Sequence, residues 1–577
     1  MFYLHHLFRS FQPVHNPIGF GAVDFAGIFL AVALAALAIA RPRMGALLVR
    51  LAARPAWCML GLFALPIALR LALLRTHPIP EPYVADDFGY TLLADTISHF
   101  RLTNPPHPMH RFFETFYVLQ EPTYSSIYPP GPALALAAGR AVFGHFWAGV
   151  AVSIGIFCAL CYWMLRGWTS PGWALAGGLL AVIQFGPLNQ WMNSFWGGGV
   201  SGIAGCLVFG ALPRVRERCR VRDAILLGAG LGLQLITRPF ESIFLLAAAV
   251  LFLLPDFRRI MAVAPAIAAA ALPAAGLILL HNKRVTGEWT TLPYELSRYQ
   301  YGVPSTFTFQ HGVVPHRELT REQRLDYEAQ AEVHGQGTDT IGSYFKRLGS
   351  RVRFYRFFFL APLYIALPAF LFALKDRRYA WLLVPIALFI LGSNFYAYFF
   401  SHYIAAVACV FLLVTVVGLQ KLPTTAAVWI FFACIAQFAL WYTAHAIGDP
   451  SMWQFETWDA INYGDPEGRI AVNRELAALP GKQLVFVRYG PRHTFKEWVF
   501  NAADIDRARV VWARDLGWEE NEKLRHYYPD RTAWLIEPDL RPVRLRAYAP
   551  PVTAPAPAQP AAPPNPKYPH LRFEEVH

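Results

Sequence analysis

The sequence predicts a mainly α-helical protein, a polytopic membrane bundle of about twelve spans with a small α/β soluble domain at its carboxy-terminal end. Three observations predict it. Of the 577 residues, 55% are hydrophobic and only 15% charged, the balance of a multi-span membrane chain. Apolar runs of roughly twenty residues recur between residues 22 and 443, and Arg and Lys gather in every other connection. After residue 443 the composition turns polar, and short strand-like runs replace the long apolar ones. The mean hydropathy of +0.32 averages these two regimes.

In chain order the expected spans are 22–40, 57–75, 147–165, 172–190, 198–213, 223–239, 240–255, 260–281, 356–374, 379–397, 403–420 and 424–443. The first lies in an amino-terminal segment, 1–56, that adds one helix to the main membrane domain, 57–445. Short connections carrying Arg41, Arg43, Arg50 and Arg54, then Arg166, Arg214 to Arg222, Arg258 and Arg259, Lys375 to Arg378, and Lys421 read as cytoplasmic. Two long loops, 76–146 and 282–355, and the carboxy-terminal region then face outward. Residues 132–146 are apolar but short and contain Arg140 and His145. Counting them as a span would invert every later loop, so they are expected as an interfacial helix. Such a chain belongs in a membrane, in contact with its lipids. The net charge of +13 is accounted for by these arginines and calls for no nucleic-acid partner.

The first long loop carries the densest chemistry. It opens at Tyr83 and places two adjacent carboxylates, Asp86 and Asp87, where helical periodicity begins (Phe88, Leu92, Leu93, Ile97, Phe100), and it closes on Tyr128-Pro129-Pro130-Gly131. Asp86 reads either as a helix cap or as an active-site acid. Other polar groups lie at the outward ends of spans: Asn193 and Trp196 before the glycines 197–199, Arg238 with Glu241 three residues on, and His402 with Tyr403. Intramembrane charges are costly and mark function more often than elsewhere. Structural readings stand beside these: Arg238 satisfying a helix end or pairing Glu241, His402 as an interface residue, and the glycines serving close packing. Tyr294 sits in the aromatic stretch 289–309 of the second loop.

His107, His110 and Glu114 have a spacing that could hold a divalent metal on one helical face, but prolines interrupt the stretch. No metal site or cofactor is therefore assigned, and a divalent metal stays open. The seven cysteines all lie in or beside spans, which argues against a disulfide framework. A phosphate-binding P-loop, a dinucleotide fingerprint and a nucleophile elbow are all missing. Beyond residue 445, the runs KQLVFVRYG, ARVVWARDL and RTAWLIEPD predict three strands, with a helix over NEKLRHYYP, in an α/β domain of 446–545. A Pro/Ala-rich tail, 546–577, follows and is expected to be disordered.

These residues resemble the GT-C type membrane glycosyltransferases, among them protein O-mannosyltransferases, the lipid A aminoarabinose transferase and rhizobial lipopolysaccharide sugar transferases. Asp86-Asp87-Phe88-Gly89-Tyr90-Thr91-Leu92-Leu93-Ala94-Asp95 matches that family's acidic pair and following helix. Tyr128 to Gly131 matches its loop-closing turn, Thr237-Arg238-Pro239 its basic residue before Pro, and His402-Tyr403 its late span start. LTNPPHPM, WMNSFWGG, VTGEWTTLPYE and FNAADID look like a bacterial subset of the family. The chain departs from it at Asn189 to Asn193, where the family often carries an acid, and in its extra first span.

The resemblance implies transfer of a sugar from a polyprenyl-phosphate donor to a lipid, glycan or protein acceptor on the outer face, with inversion. Asp86 would be the general base and Asp87 would orient the loop. Tyr90, Tyr128, Asn193, Trp196, Arg238, Glu241, Tyr294, His402 and Tyr403 would line the substrates. The alternative from another class is a transporter or flippase of a lipid-linked envelope intermediate, which accounts for the spans but not for a long acidic outer loop.

Overall fold

The computed structural model describes residues 22–36, 50–82, 84–448, 468–491, 493 and 496–550. The first twenty-one residues, the end of the first expected span with Arg41 and Arg43, Tyr83 at the head of the first loop, and the tail from 551 lie outside the described residues.

Seven described helices are long and apolar enough to cross a membrane: Pro55–Ala72, Phe146–Leu165, Gly198–Arg218, Pro239–Ile260, Ala264–Thr286, Ser401–Lys421 and Thr424–Ile447. Three shorter apolar helices, Ala22–Ala36, Pro171–Phe185 and Val221–Thr237, fall on further expected spans. The remaining two expected spans are helical but broken. Residues of 356–374 form the short turns Val352–Phe358, Ala361–Ile365, Ala366–Phe370 and Leu371–Ala373, and 379–397 contains Arg377–Ala380 and Leu383–Ser393. Pro362 and Pro368 each remove a backbone donor from the first of these, which explains why no continuous ladder forms there. The stretch expected as an interfacial helix is the helix Pro130–Phe143. The chain is thus a mainly helical polytopic membrane protein with a carboxy-terminal α/β region.

Two compact units divide the chain. One comprises Met1–Pro80, Pro129–Ile278 and Thr340–Gly464; the other comprises Glu81–Tyr128, Leu279–Asp339 and Asp465–His577. The first unit holds most of the long apolar helices. Gly198–Arg218 packs there so closely that a Cβ on Gly205 would lie 1.8 Å from the Ala406 carbonyl oxygen, an approach only glycine permits.

In the second unit, β1 (Val118–Leu119) and β2 (Ser125–Ser126) pair antiparallel within the first loop. A four-stranded sheet is formed by β3 (Lys482–Val487), β4 (Val510–Arg514), β5 (Arg531–Ile536) and β6 (Leu545–Ala547), in the order β4-β3-β5-β6. The first three are the expected strands and run parallel, with β6 antiparallel at the edge. The expected helix is Trp518–Tyr527. β6 was not foreseen and straddles the boundary drawn at 545; nor was the helix Arg469–Ala478.

This sheet does not keep its core to itself. Leu484, Phe486, Val511, Ala513, Phe500 and Leu524 pack in one apolar cluster with Ala85, Phe88, Leu92, Phe112, Phe113, Phe116 and Val118 of the first loop. Apolar area of this kind stabilises by roughly 25 cal/mol per Å² removed from water, so loop and sheet are held by a common burial.

Candidate active site

The helix that begins at the two acids spans Ala85–Ser98. Val84, in extended conformation, is its N-cap, and no side chain caps it. Asp86 is therefore the second helical residue and Asp87 the third. The cap reading of Asp86 gives way to one in which both carboxylates sit in the first turn, where the helix dipole favours negative charge. Asp87 is buried and Asp86 only half-buried.

The two ends of the first loop meet at Asp86. The Tyr128 hydroxyl donates a hydrogen bond to Asp86 Oδ1. Tyr90, one turn along the helix, stacks on the Tyr128 ring at 4.2 Å, Tyr294 meets that ring edge-on at 5.7 Å, and Tyr117 at 6.2 Å. Burial, with the neighbouring Asp86 charge, pushes the Tyr128 pKa well above its ordinary value, so the phenol stays a proton donor. Gly89 makes this possible: a Cβ there would lie 2.6 Å from Tyr128 Cε2. Four expected residues, Asp86, Tyr90, Tyr128 and Tyr294, are thereby brought together.

Beside them stands a group the sequence did not mark. Asp326, on the helix Arg321–His334, accepts from Gln330 Nε2 at 2.8 Å. The same amide group donates to the Tyr117 hydroxyl at 3.1 Å, and Gln330 Oε1 accepts from the Ser305 amide at 2.8 Å. Burial, with a smaller contribution from the Asp86 charge, pushes the Asp326 carboxyl up to about 7. An acid in so charged a helical stretch reads as part of a solvated face, which is why it escaped notice.

The remaining candidates lie in the other unit. Helix Val221–Thr237 ends at Arg238, and Pro239 opens the next helix. The chain turns there on a non-helical Arg238 (φ −147°, ψ 88°), since Pro disfavours the α conformation in the residue before it. The Arg238 guanidinium reaches Glu241 Oε1 at 3.2 Å and lies 4.3 Å from the centre of the Tyr403 ring. Glu241 is buried, so Arg238 supplies the countercharge it needs. His402 packs 5.0 Å from Trp196 and is stacked on Phe400. His402 Nδ1 and Trp196 Nε1 are buried and have no hydrogen-bond partner among the described residues. Arg238, Glu241, His402, Tyr403 and Trp196 form one polar-aromatic group.

Asn193 belongs to a different set of contacts. Its Oδ1 accepts from Arg70 Nε at 2.7 Å, and its Nδ2 donates to the carbonyls of Pro187 and Asn189 at 3.0 and 2.8 Å. Arg70, fully buried inside Pro55–Ala72, also binds the carbonyls of His77 and Pro78 and lies over the Trp147 ring. This arginine was passed over inside an apolar run. It ties a helix end to the 186–196 loop, and Asn193 is one of its anchors.

The histidines of the first loop are engaged separately. His107 Nδ1 accepts from the Met109 amide at 2.9 Å, leaving Nε2 to donate to Asp506 Oδ1 at 3.1 Å. Glu114 is bound by Arg317 at 2.7 Å and by the Tyr301 hydroxyl at 2.9 Å, while His110 stands 3.7 Å away. His107 and Glu114 thus turn to different partners, and the trio does not assemble a ligand set. Among the described residues no group of three His, Cys, Asp or Glu side chains is placed to hold a metal.

No family model matches the sequence, and no curated protein matches it significantly. Among solved structures the chain is similar to the Archaeoglobus fulgidus oligosaccharyltransferase in complex with Zn and sulfate. The identity is 12% and the TM-score 0.44, over 82% of this chain and 67% of that one. It is also similar to ArnT from Cupriavidus metallidurans in the apo state, at 11% identity and TM-score 0.46, over 83% of this chain and 93% of the other. A further similar structure is the archaeal oligosaccharyltransferase AglB from Archaeoglobus fulgidus with an inhibitory peptide and a dolichol-phosphate. There the identity is 11% and the TM-score 0.35, over 83% and 69% of the two chains.

Proposed function

We propose that the protein is a membrane glycosyltransferase that moves a sugar from a polyprenyl-phosphate donor to an acceptor hydroxyl on the outer face of a bacterial inner membrane. The observation that carries the reading is the setting of Asp86. It is a half-buried carboxylate in the first turn of a helix, gripped by the hydroxyl of Tyr128 from the far end of the same loop.

In this reading Asp86 takes the proton of the acceptor hydroxyl as its oxygen attacks the anomeric carbon. The bond from that carbon to the donor phosphate breaks on the opposite face, so configuration inverts and the lipid phosphate leaves. Tyr90, Tyr128 and Tyr294 offer aromatic faces to the sugar or the acceptor. In the other unit Arg238 is the cation offered to a lipid phosphate, and the unpartnered His402 Nδ1 and Trp196 Nε1 suit an oxygen-rich group. Asp87, buried in the first turn, orients the loop. The donor is already activated, so no nucleotide enters the step. A lipid, a glycan or a protein could present the acceptor hydroxyl.

The test is sugar transfer by purified protein in liposomes loaded with radiolabelled polyprenyl-phosphate sugars. Asp86→Asn, which keeps shape but cannot take a proton, should lower turnover by roughly a hundredfold or more. Undiminished transfer by Asp86→Asn would remove this loop from the chemistry. Movement of the lipid-linked sugar across the bilayer without transfer would establish the transporter reading instead.

A further inference from the structure

Helix Ala85–Ser98 has two working faces. At about 100° per residue, Ala85, Phe88, Leu92 and Asp95 fall on one side, while Asp86, Tyr90 and Leu93 fall roughly 150° round from it. The second side carries the Tyr128 contacts. The first is occupied by the carboxy-terminal region of the same unit.

The contacts on that first side are specific. The Phe500 ring stacks on Phe88 with centroids 3.9 Å apart and planes 5° from parallel. The Arg469 guanidinium carbon lies 4.4 Å from the centre of the Phe88 ring and also covers the rings of Trp498 and Trp512. About two turns further along, the buried Asp95 accepts the Ala503 amide at 2.7 Å through Oδ2. Phe500 and Ala503 both belong to FNAADID, the sequence run for which the transfer reading had no use. The same run supplies Asn501, whose carbonyl accepts from Tyr124, and Asp506, which receives His107. Leu484 and Phe486 of the sheet close the apolar part of the contact around Ala85 and Leu92.

We infer that the carboxy-terminal α/β region is the holder of the catalytic helix, with Phe500, Arg469 and the Ala503 amide as positioning elements that aim Asp86 from behind. This rests on the reading of Asp86 as the general base. Phe88 immediately follows the acid pair, so a shift of its backbone moves the first helical turn with it. A displacement of about 1 Å in a reacting group costs on the order of a hundredfold in rate, so a loosened Phe88 contact should be felt at Asp86 without any loss of substrate contacts.

The test uses the full chain in lipid nanodiscs. Phe500→Ala should speed hydrogen exchange of the amides of residues 89–98 at least about tenfold and leave exchange within Gly198–Arg218 unchanged. It should lower kcat for sugar transfer at least about tenfold, with the donor KM unchanged. Phe500→Tyr, which keeps the stack, should restore both. Arg469→Met gives an independent arm should Phe500→Ala prove unstable, with the same pattern expected. Unchanged exchange over 89–98 in both variants overturns the inference. So does a rise in donor KM equal to the loss in kcat/KM, which would place these residues at the donor instead. Loss of transfer in Asp86→Asn with unchanged exchange in Phe500→Ala sinks the holder and leaves the transferase standing. A loosened helix in a protein whose wild type transfers no sugar does the reverse.

Discussion

The closest engineered approach to Asp86 that leaves every polar group in place is Gly89→Ala. A methyl at this position would meet Tyr128 Cε2 at 2.6 Å and Cδ2 at 2.7 Å. Carbon atoms rest at about 3.5–4.0 Å, so the tyrosine ring must retreat by about 1 Å. A hydroxyl–carboxylate hydrogen bond of about 2.5–2.7 Å does not survive that retreat. A hydrogen bond to a charged group contributes about 1.5–3 kcal/mol, which at about 1.4 kcal/mol per decade is roughly ten- to a hundredfold in rate if the bond orients the base. Overpacking costs about 1–3 kcal/mol and Ala returns about 1 kcal/mol of helix propensity over Gly, so the protein should stay folded. The assay is a double-mutant cycle: kcat/KM for sugar transfer in liposomes for wild type, Gly89→Ala, Tyr128→Phe and the pair. If the methyl acts by prising Tyr128 from Asp86, the pair should be scarcely worse than Tyr128→Phe alone. Losses that simply add would show that Gly89→Ala acts elsewhere. Full activity in Gly89→Ala would show that the Tyr128 bond does not serve catalysis.

Arg238→Ala should destabilise the protein, because it strands the buried Glu241 carboxylate, a loss of about 3–5 kcal/mol; thermal unfolding in detergent measures it. Adding Glu241→Gln should recover most of that stability while donor kinetics stay impaired by roughly ten- to a hundredfold, and a double variant with normal donor use would take Arg238 out of the site. Asp326 gives a pH signature. Its carboxyl, at about 7 in the folded protein against an ordinary 3.8, keeps a proton that the unfolded chain has released. Stability should therefore fall as pH rises from about 4 to about 7, by at most on the order of 4 kcal/mol. Asp326→Asn has no proton to lose and should flatten this dependence, making the variant the more stable form above pH 7. Parallel stability–pH curves for wild type and variant would contradict the burial of this acid beside Asp86.

The change of composition after residue 443 marks the carboxy-terminal region as a domain of its own, and that pattern by itself predicts that truncation after about residue 446 spares the membrane part. The apolar cluster joining Phe88 and Leu92 to Phe486 and Phe500 changes what such a truncation does. It uncovers one whole face of helix Ala85–Ser98, and the damage should appear first in the loop that carries Asp86.

What the sequence by itself determined was everything that depends on neighbours along the chain. Apolar runs, helical periodicity after Asp87 and alternation in KQLVFV were enough to place the long helices, the helix Ala85–Ser98 and three of the four strands of the sheet. Desolvation and backbone hydrogen bonding act on consecutive residues, so composition alone reports them. The resemblance names Asp86 and Tyr128 as residues of one site, but their hydrogen bond is a finding of the fold. Tertiary structure alone decided which distant groups satisfy one another. Arg70 on Asn193, Gln330 on Tyr117, and Phe88 under Phe500 and Arg469 join residues that are far apart in sequence. A buried charge or a large ring must find a partner, but the requirement names no address. Chain folding supplies the address, and a single sequence leaves no trace of it.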